Sequence, residues 1–553
     1  MPSQVSYPGV YIQEIPSGVH AITGVATSIT AFVGRTLYGP VDKAVMINSY
    51  GDFERMFGGL WTGGTLGFAV SDFFQNGGGQ AIIVRLYNPE TGNGANPTKS
   101  KIKLGAFRFV AADEGSWGAN LRAQIDTTVS TDVAQQMGLA TADLFNLTLT
   151  ELDASGNVVA RELFRNLTVK DSARRIDNVL ASQSNLLRWD GTWPPNPLPA
   201  AAVGVDDVTA AERVLAAANS VTPPVPADVA NAQQALATAK TAVTASDGLR
   251  LTMADNFSPN GAQANKRGLY ALEQAPLFNL LCIPPYTTSN DVEPALIPAA
   301  ASYCEQRRAM LIVDPPSAWN SVAAVQTQFA ANGVGTTSRN AALFFPRIRE
   351  PNLLHGGQIE DFAPCGAVAG VMARTDAARG VWKAPAGIDA TLTGVSELPV
   401  ILTDAENGQL NPLGVNCLRA FPVVGNVVWG ARTLRGADQL ADEYKYISVR
   451  RTALYIEESL YRGLQWAVFE PNDEPLWAQI RLNVGGFMQT MFRQGAFQGA
   501  SPRDAYFVKC DKEVTTPDDV NLGVVNVVVG FAPLKLAEFV VISIQQMAGQ
   551  TSS

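Results

Sequence analysis

The sequence predicts an α+β protein of several domains: a central α/β platform, a peripheral insertion domain, and a C-terminal α+β domain completed by terminal strands. Three observations predict it. Early in the chain, helices closed by glycine lead into a buried strand. From about residue 101 to 248 the texture changes to alternating strands and Ala-rich helices. Near the end, two amphipathic helices give way to three strands in succession. The length of 553 residues allows about three domains of roughly 150 residues. The expected divisions are an extended arm at 1–24, a central domain from 25–100 plus 249–365, and an outer insertion at 101–248 with a variable helical hairpin at 190–247. A C-terminal domain at 366–530 and a strand arm at 531–553 complete the chain.

The elements follow in order. "GVATSITAFVGRT" (24–36) is rich in β-branched and small residues and reads as a strand. "SYGDFERMFG" (49–58) reads as a short helix closed by Gly58, and a second helix over 67–75 runs into "NGGGQ" before the buried strand "AIIVRLY" (81–87). In the insertion, "FNLTLTEL" (145–152) and "VVARELF" (158–164) read as a hairpin across "ASGN", followed by a helix over 171–182. Ala-rich helices are expected at 209–219 and 228–246, where Val229, Leu236 and Val243 repeat every seven residues. Buried strands resume within 268–285, 307–316 and 340–348. Val449, Ala453, Ile456, Leu460 and Leu464 then form one helical stripe, and Trp477, Ile480, Val484, Phe487 and Met491 a second, with Gly495 as its cap. "DAYFVKCD", "GVVNVVVG" and "EFVVISIQQ" are the closing strands.

Composition narrows the function. Charged residues are 16% of the chain, against about 25% in an ordinary soluble domain, which fits equally a surface that lies largely against other protein and a large globular protein rich in Ala, Gly and Thr. The net charge of −9, without a basic run, argues against nucleic acid as a partner. Cys282, Cys304, Cys365, Cys417 and Cys510 are scattered and lack any C-x-x-C, which reads as buried thiols. The start lacks a basic segment followed by an apolar one, and the Val524–Ile544 window holds Pro533, Lys535 and Glu538; a cytosolic product without direct membrane insertion is expected.

No cofactor, metal or catalytic residue is expected. "GGLWTGGTLG" lacks the G-K-[ST] of a phosphate loop, and "GGG" at 77–79 precedes a strand and reads as a helix cap. His20 and His355 have no sequence-near ligand partner, and "DKEVTTPDD" lacks calcium-loop spacing. Asn146 and Asn166 begin N-x-T triplets without a secretion signal to support them. An α/β enzyme with a site assembled from distant residues stays open as a rival.

The extended segments at the two ends are the remaining feature. "GVYIQEI" lies between Pro8 and Pro16, which exclude a helix, and alternates Val10 and Ile12 with Tyr11. "EFVVISIQQ" is apolar on both faces through Phe539, Val540, Val541, Ile542 and Ile544, and so needs cover and a neighbouring strand. Pairing within the chain and exchange between chains both satisfy that need.

"YPGVYIQEIPSG…ITGVATSITAFVGRT" resembles the start of contractile tail sheath proteins. "ARTDAARGVWKAPAG", "LNPLGVNCLRAFPVVGNVVWGARTL", "YISVRRTALYIEESLYRGLQWAVFEPN" and "APLKLAEFVVISIQQ" are similar to that family's C-terminal half. The resemblance spans 1–90 and about 265–548 and implies a subunit of stacked hexameric rings that surround an inner tube and contract to drive it through a cell envelope. It implies arms (Val10, Tyr11, Ile12, Ile15; Phe539, Val540, Val541, Ile542, Ile544) lent to neighbouring subunits. The receiving strands are then expected at Val524, Val525, Val527, Val528 and Val529, and at Tyr506 and Val508. Lys445, Arg450 and Arg451 are the tube-facing candidates. Baseplate and terminator or cap proteins are the further partners implied. The setting is a virion tail assembled in the host cytoplasm, or a cytoplasmic or released injection particle; a non-contracting tail component is the remaining structural alternative.

Overall fold

The computed structural model describes residues 20–543 except 93, 154, 194–203 and 332. The expectations for Val10, Tyr11, Ile12, Ile15 and Ile544 therefore lie outside the described residues.

The platform is an eight-stranded sheet. From edge to edge its strands are Gly425–Val428, Val415–Phe421, Ala341–Phe345, Met310–Val313, Leu280–Cys282, Thr30–Gly34, Ala81–Arg85 and Ala44–Ile47. The inner six run parallel and each edge strand is antiparallel to its neighbour. Parallel strands need cover on both faces, which explains runs such as "TAFVG" and "AALFF" that are buried at every position. Ala31, Val33, Leu281, Leu311 and Leu343 share one core with the helices Leu296–Gln306 and Val322–Ala331. Phe32, Cys282, Ile312 and Phe344 share the other with Tyr50–Phe57, Leu66–Gln75 and Cys365–Arg379. The last two helices pack so closely that a Cβ at Gly366 would lie 2.0 Å from the Ala69 carbonyl oxygen; only glycine fits there.

Residues 101–248 carry a core of their own around Phe107, Phe109, Phe145, Leu147 and Leu180. One sheet orders Gly204–Val205, Leu121–Asp126, Leu144–Leu152 and Val158–Thr168; a second orders Lys101–Leu104, Phe107–Ala111 and Leu187–Trp189. The helix expected over 171–182 starts at Ile176, because Arg175 closes a turn onto the Ser172 carbonyl and keeps extended backbone. Asp207–Ser220 and Pro226–Ala242 form the Ala-rich hairpin. The insertion is tied to the platform by Arg85, whose buried guanidinium reaches Glu114 Oε2 at 3.2 Å and the Glu114 and Gly39 carbonyls at 2.8 Å each.

The boundary expected at residue 366 needs correction. Cys365–Arg379, Val415–Phe421 and Gly425–Val428 belong to the platform and its covering layer. The cause is physical: "VNCL" is an inner strand, and its partner across the sheet is Ala341–Phe345, some 70 residues earlier. The C-terminal body proper is built on the helices Ile447–Gly463 and Glu474–Arg493, with a core of Ile456, Trp477, Ile480, Val484, Phe487 and Met491.

One buried contact in the platform makes its stability depend on pH. Asp72 on Leu66–Gln75 and Glu350 on the Ile348–Asn352 strand are both buried and share a hydrogen bond. Burial, and for Asp72 also the nearby Glu350 charge, holds Asp72 well above the usual carboxylate range and lifts Glu350 to about 7. A raised folded-state value favours the fold while the pair keeps its proton. That contribution is full below about pH 4 and is lost as pH rises through about 7. Glu350→Gln is therefore expected to raise the melting temperature at pH 8 while leaving it nearly unchanged at pH 5. Differential scanning calorimetry across that range checks it.

Candidate functional site

Open α/β sheets bind ligands beyond the carboxyl ends of their strands, at the point where strand order reverses. Here the order reverses at Thr30–Gly34, and Arg35 follows it immediately. The Arg35 guanidinium fills the crevice. It donates to the Gly63 carbonyl at 3.1 Å, the Asp247 carbonyl at 2.6 Å and the Tyr286 hydroxyl, and stacks on Trp61 at 4.8 Å. The space left is about 40 Å³, far below the roughly 300 Å³ of a small-molecule site. All five cysteines are buried, and burial pushes Cys417 to about 12 and Cys510 to about 11, so neither is a thiolate at neutral pH. Among the described residues no cluster of His, Cys, Asp and Glu has the makings of a metal site.

The larger cleft, about 670 Å³, lies between platform and C-terminal body, with Trp382, Lys383, Trp429, Tyr446 and Gln494 among its walls. Residues 534–539 run along it. Leu534, Leu536 and Glu538 are half-buried and alternate with exposed Lys535, Ala537 and Phe539, the period of an extended chain. Glu538 is clamped there. Arg432, only 1% exposed, binds its carboxylate with Nε at 2.7 Å and Nη2 at 2.9 Å; Asn411 Nδ2 donates at 2.7 Å and the Tyr446 hydroxyl at 2.9 Å. Arg432 is itself fixed from behind. Its N–H donates to Asn416 Oδ1 at 2.6 Å, and Asn416 Nδ2 reaches the Leu343 carbonyl at 3.0 Å, inside the sheet. Burial works to raise the Glu538 pKa, but the bonds from Arg432 and Asn411, the Arg432 charge and the Tyr446 bond outweigh it, and the carboxyl sits below its ordinary value.

Past this clamp Phe539, Val540, Val541 and Ile542 are 74, 80, 87 and 79% exposed and have no strand partner among the described residues. The strand expected over 538–546 is thus not formed within the chain as far as Ser543. The hairpin beside it is short: Tyr506–Lys509 pairs antiparallel with Val528–Phe531 in a two-stranded sheet. Tyr506, Val508, Val529 and Phe531 face the C-terminal core, with Val525 and Val527 packed beside them, while Phe507 and Val528 face outward. Val524, Val525 and Val527 lie before the strand, not in it, because Asp519 and Thr515 bind the backbone of 524–526 into the preceding turn.

Residues 20–27 are fastened to the same body. His20 stacks on Trp466 at 4.4 Å, Val25 N donates to Ser459 Oγ at 3.2 Å, and Thr27 O accepts from Arg451 Nη2 at 2.8 Å. Gly24 passes so close to the Tyr455 hydroxyl that any Cβ would overlap it.

Of the three cations expected to face a tube, Arg450 and Arg451 are turned inward and Lys445 is partly exposed. Arg451 is 4% exposed and binds Asp376 with Nη1 at 2.9 Å and Nη2 at 2.6 Å. Arg450, also buried, donates to Asn340 Oδ1 at 2.9 Å and Glu457 Oε1 at 3.0 Å. Lys445 pairs with Asp438 at 2.6 Å. The two arginines are inward because the first half of Ile447–Gly463 is buried all round: the platform covers the face opposite the apolar stripe. Sequence reading missed Arg432 and Glu538 as partners. Each is a lone charge within an apolar run, "VVWGARTL" and "LAEFVVISI", and that was the available signal.

Residues 260–434 match the family model described as phage tail sheath protein central domain, and residues 441–547 match phage tail sheath C-terminal domain; the two together span just over half the chain. No curated protein matches in sequence. Among solved structures, the chain is similar to the helical sheath of the anti-feeding prophage in the contracted state (22% identity, TM-score 0.52, 98% of this chain and 100% of that one). It is similar to the contracted sheath of the extracellular contractile injection system PVC (20%, 0.53, 98% of each chain). A sheath tail protein from Listeria innocua shares the fold at 12% identity, with TM-score 0.55 over 93% of this chain and 96% of that one.

The clamp yields a measurable cost. Glu538→Ala leaves Arg432 buried without its main partner, and about 3 kcal/mol of stability should be lost, the low end for a broken buried pair because Glu538 keeps some water contact. Urea unfolding measures it. Because the Glu538 pKa is depressed, the difference between wild type and Glu538→Gln should be present at pH 7 and vanish as pH falls below the ordinary glutamate range. Arg432, Tyr446, Asp438 and Lys445 are the ionisable groups around it.

Proposed function

The chain belongs to the phage tail sheath family, and from that premise we propose that it is the structural subunit of a contractile sheath. It polymerises as stacked hexameric rings around an inner tube and contracts to drive that tube through a target envelope. Its arms cross between subunits by strand addition. The observation that carries this reading is the exposed segment at 539–542, apolar on both sides, leaving a rigid clamp next to a two-stranded hairpin. A two-stranded sheet has backbone donors and acceptors along each outer edge, and an edge of that kind takes up an incoming strand. A head-to-tail contact that does not close on itself propagates as a helix.

The same reading supplies the partners: copies of this chain, the inner tube, a baseplate and a terminator or cap protein. The work of contraction comes from a metastable lattice, a few kcal/mol per subunit summed over many subunits and held by a barrier. Lys445, Arg450 and Arg451 are spoken for by Asp438, Glu457 and Asp376, so a tube contact draws on other residues. Among the described residues no helix is long and apolar enough to cross a membrane. Within the same class, a second setting is an injection particle without a capsid; the higher identity to the anti-feeding prophage and PVC sheaths than to the Listeria protein supports it. Neighbouring genes decide between them: capsid and terminase genes indicate a virion tail, toxin genes without a capsid an injection particle.

Three deletions test the reading by negative-stain microscopy and circular dichroism. Removing residues 539–553, or residues 1–16, should abolish hollow cylinders and leave a folded subunit. Removing residues 207–242, the Ala-rich hairpin, should leave cylinders intact. Cylinders of normal length from either arm deletion contradict strand exchange.

A further inference from the structure

We infer that the Ile447–Gly463 helix is a strut joining the two arm roots, with Arg432 and Arg451 as the residues that position those roots on it. The inference rests on the reading of the chain as an arm-linked polymer subunit. The C-terminal root binds the start of the helix: Glu538 is held by Tyr446, the residue that caps it, and Ile447 N donates to the Ala431 carbonyl, next to Arg432. The N-terminal root runs the length of the helix in the other direction. Thr27 meets Arg451 in its second turn, Val25 meets Ser459, Ile22 lies against Gly463, and His20 stacks on Trp466 beyond its end. The two arms thus leave the body about 25 Å apart, at opposite ends of 17 helical residues.

Load entering through one arm therefore leaves through the other along a single stiff element. The platform hangs on this strut from the side, through Asp376 on Arg451 and through Asn416 on Arg432. The insertion lies farther out, behind Arg85 and Glu114. Clamps in series and clamps in parallel behave differently under force: in series the weakest sets the strength.

The test uses cylinders of the full-length chain broken by controlled shear, with lengths measured by negative-stain microscopy. Glu538→Gln and Tyr446→Phe weaken one end, Arg451→Gln and Ser459→Ala the other, and Glu114→Gln serves as a control outside the path. Tyr446→Phe and Ser459→Ala should each break about fivefold faster than wild type, the factor one lost hydrogen bond gives, Glu538→Gln and Arg451→Gln faster still, and the control should match wild type. Combining one variant from each end should break at about the sum of the two single-variant rates and not at their product. Equal breakage in root variants and control overturns the strut, as does a multiplicative double variant. Tyr446→Phe and Ser459→Ala each remove one hydrogen bond and keep the test open where the charge variants fail to fold. A wild-type chain that never forms cylinders overturns the sheath reading itself, and the strut with it.

Discussion

The bidentate bond between Arg432 and Glu538 is the constraint on which the rest of the C-terminal architecture depends. An arginine 1% exposed is costly to bury unless its charge and its N–H groups are all answered. Here Glu538 takes two of them, and the Asn411 carbonyl and Asp438 carboxylate take Nη1 at 2.9 and 3.0 Å. The residues that answer the Arg432 guanidinium come from three separate stretches of chain, around Asn411, Asp438 and Glu538. Satisfying one guanidinium therefore fixes two connecting segments and the arm root relative to one another, and Tyr446 adds the helix start through Glu538. Because Asn416 holds the Arg432 backbone from within the eight-stranded sheet, the position of the arm is referred to the most rigid part of the molecule.

The same economy of use marks the platform. Its parallel sheet has the strand-order reversal at which such folds commonly hold a nucleotide, and Arg35 closes that crevice with backbone carbonyls and two aromatic rings. The fold serves as a frame: it carries the insertion on one side through Arg85 and the C-terminal body on another through Arg451 and Arg432. At each of these joints a buried arginine, with its fork of donors, grips a carboxylate and also reaches a backbone carbonyl.

Much of the secondary structure was legible because burial leaves periodic traces. Runs such as "AIIVR" and "MLIV" are inner strands, the stripe Trp477, Ile480, Val484, Phe487 and Met491 is the buried face of a helix, and Gly495 caps it in the left-handed region. The two Ala-rich helices each start within two residues of their expected positions, 209 and 228. Three things were not legible. The boundary at 366 was misplaced because strand order, unlike strand identity, depends on pairing between distant segments. Arg450 and Arg451 were assigned outward because a stripe on one face says nothing about a second body packed on the other. The Glu538 clamp was missed because its partners lie 92 to 127 residues away in sequence. A lone charge within an apolar run was the trace it left, and such a charge asks for a buried counterpart.

The central claim is that residues beyond Glu538 complete the sheet of another copy. Cryo-electron microscopy of cylinders assembled from this chain alone tests it most directly, at a resolution that traces the backbone from Glu538 onward. The account predicts that Phe539–Ile542 cross to a neighbouring subunit and lie as a strand against its Tyr506–Lys509 and Val528–Phe531 hairpin, with Glu538 still on Arg432. Density showing the segment folded back onto the hairpin of its own subunit would contradict it.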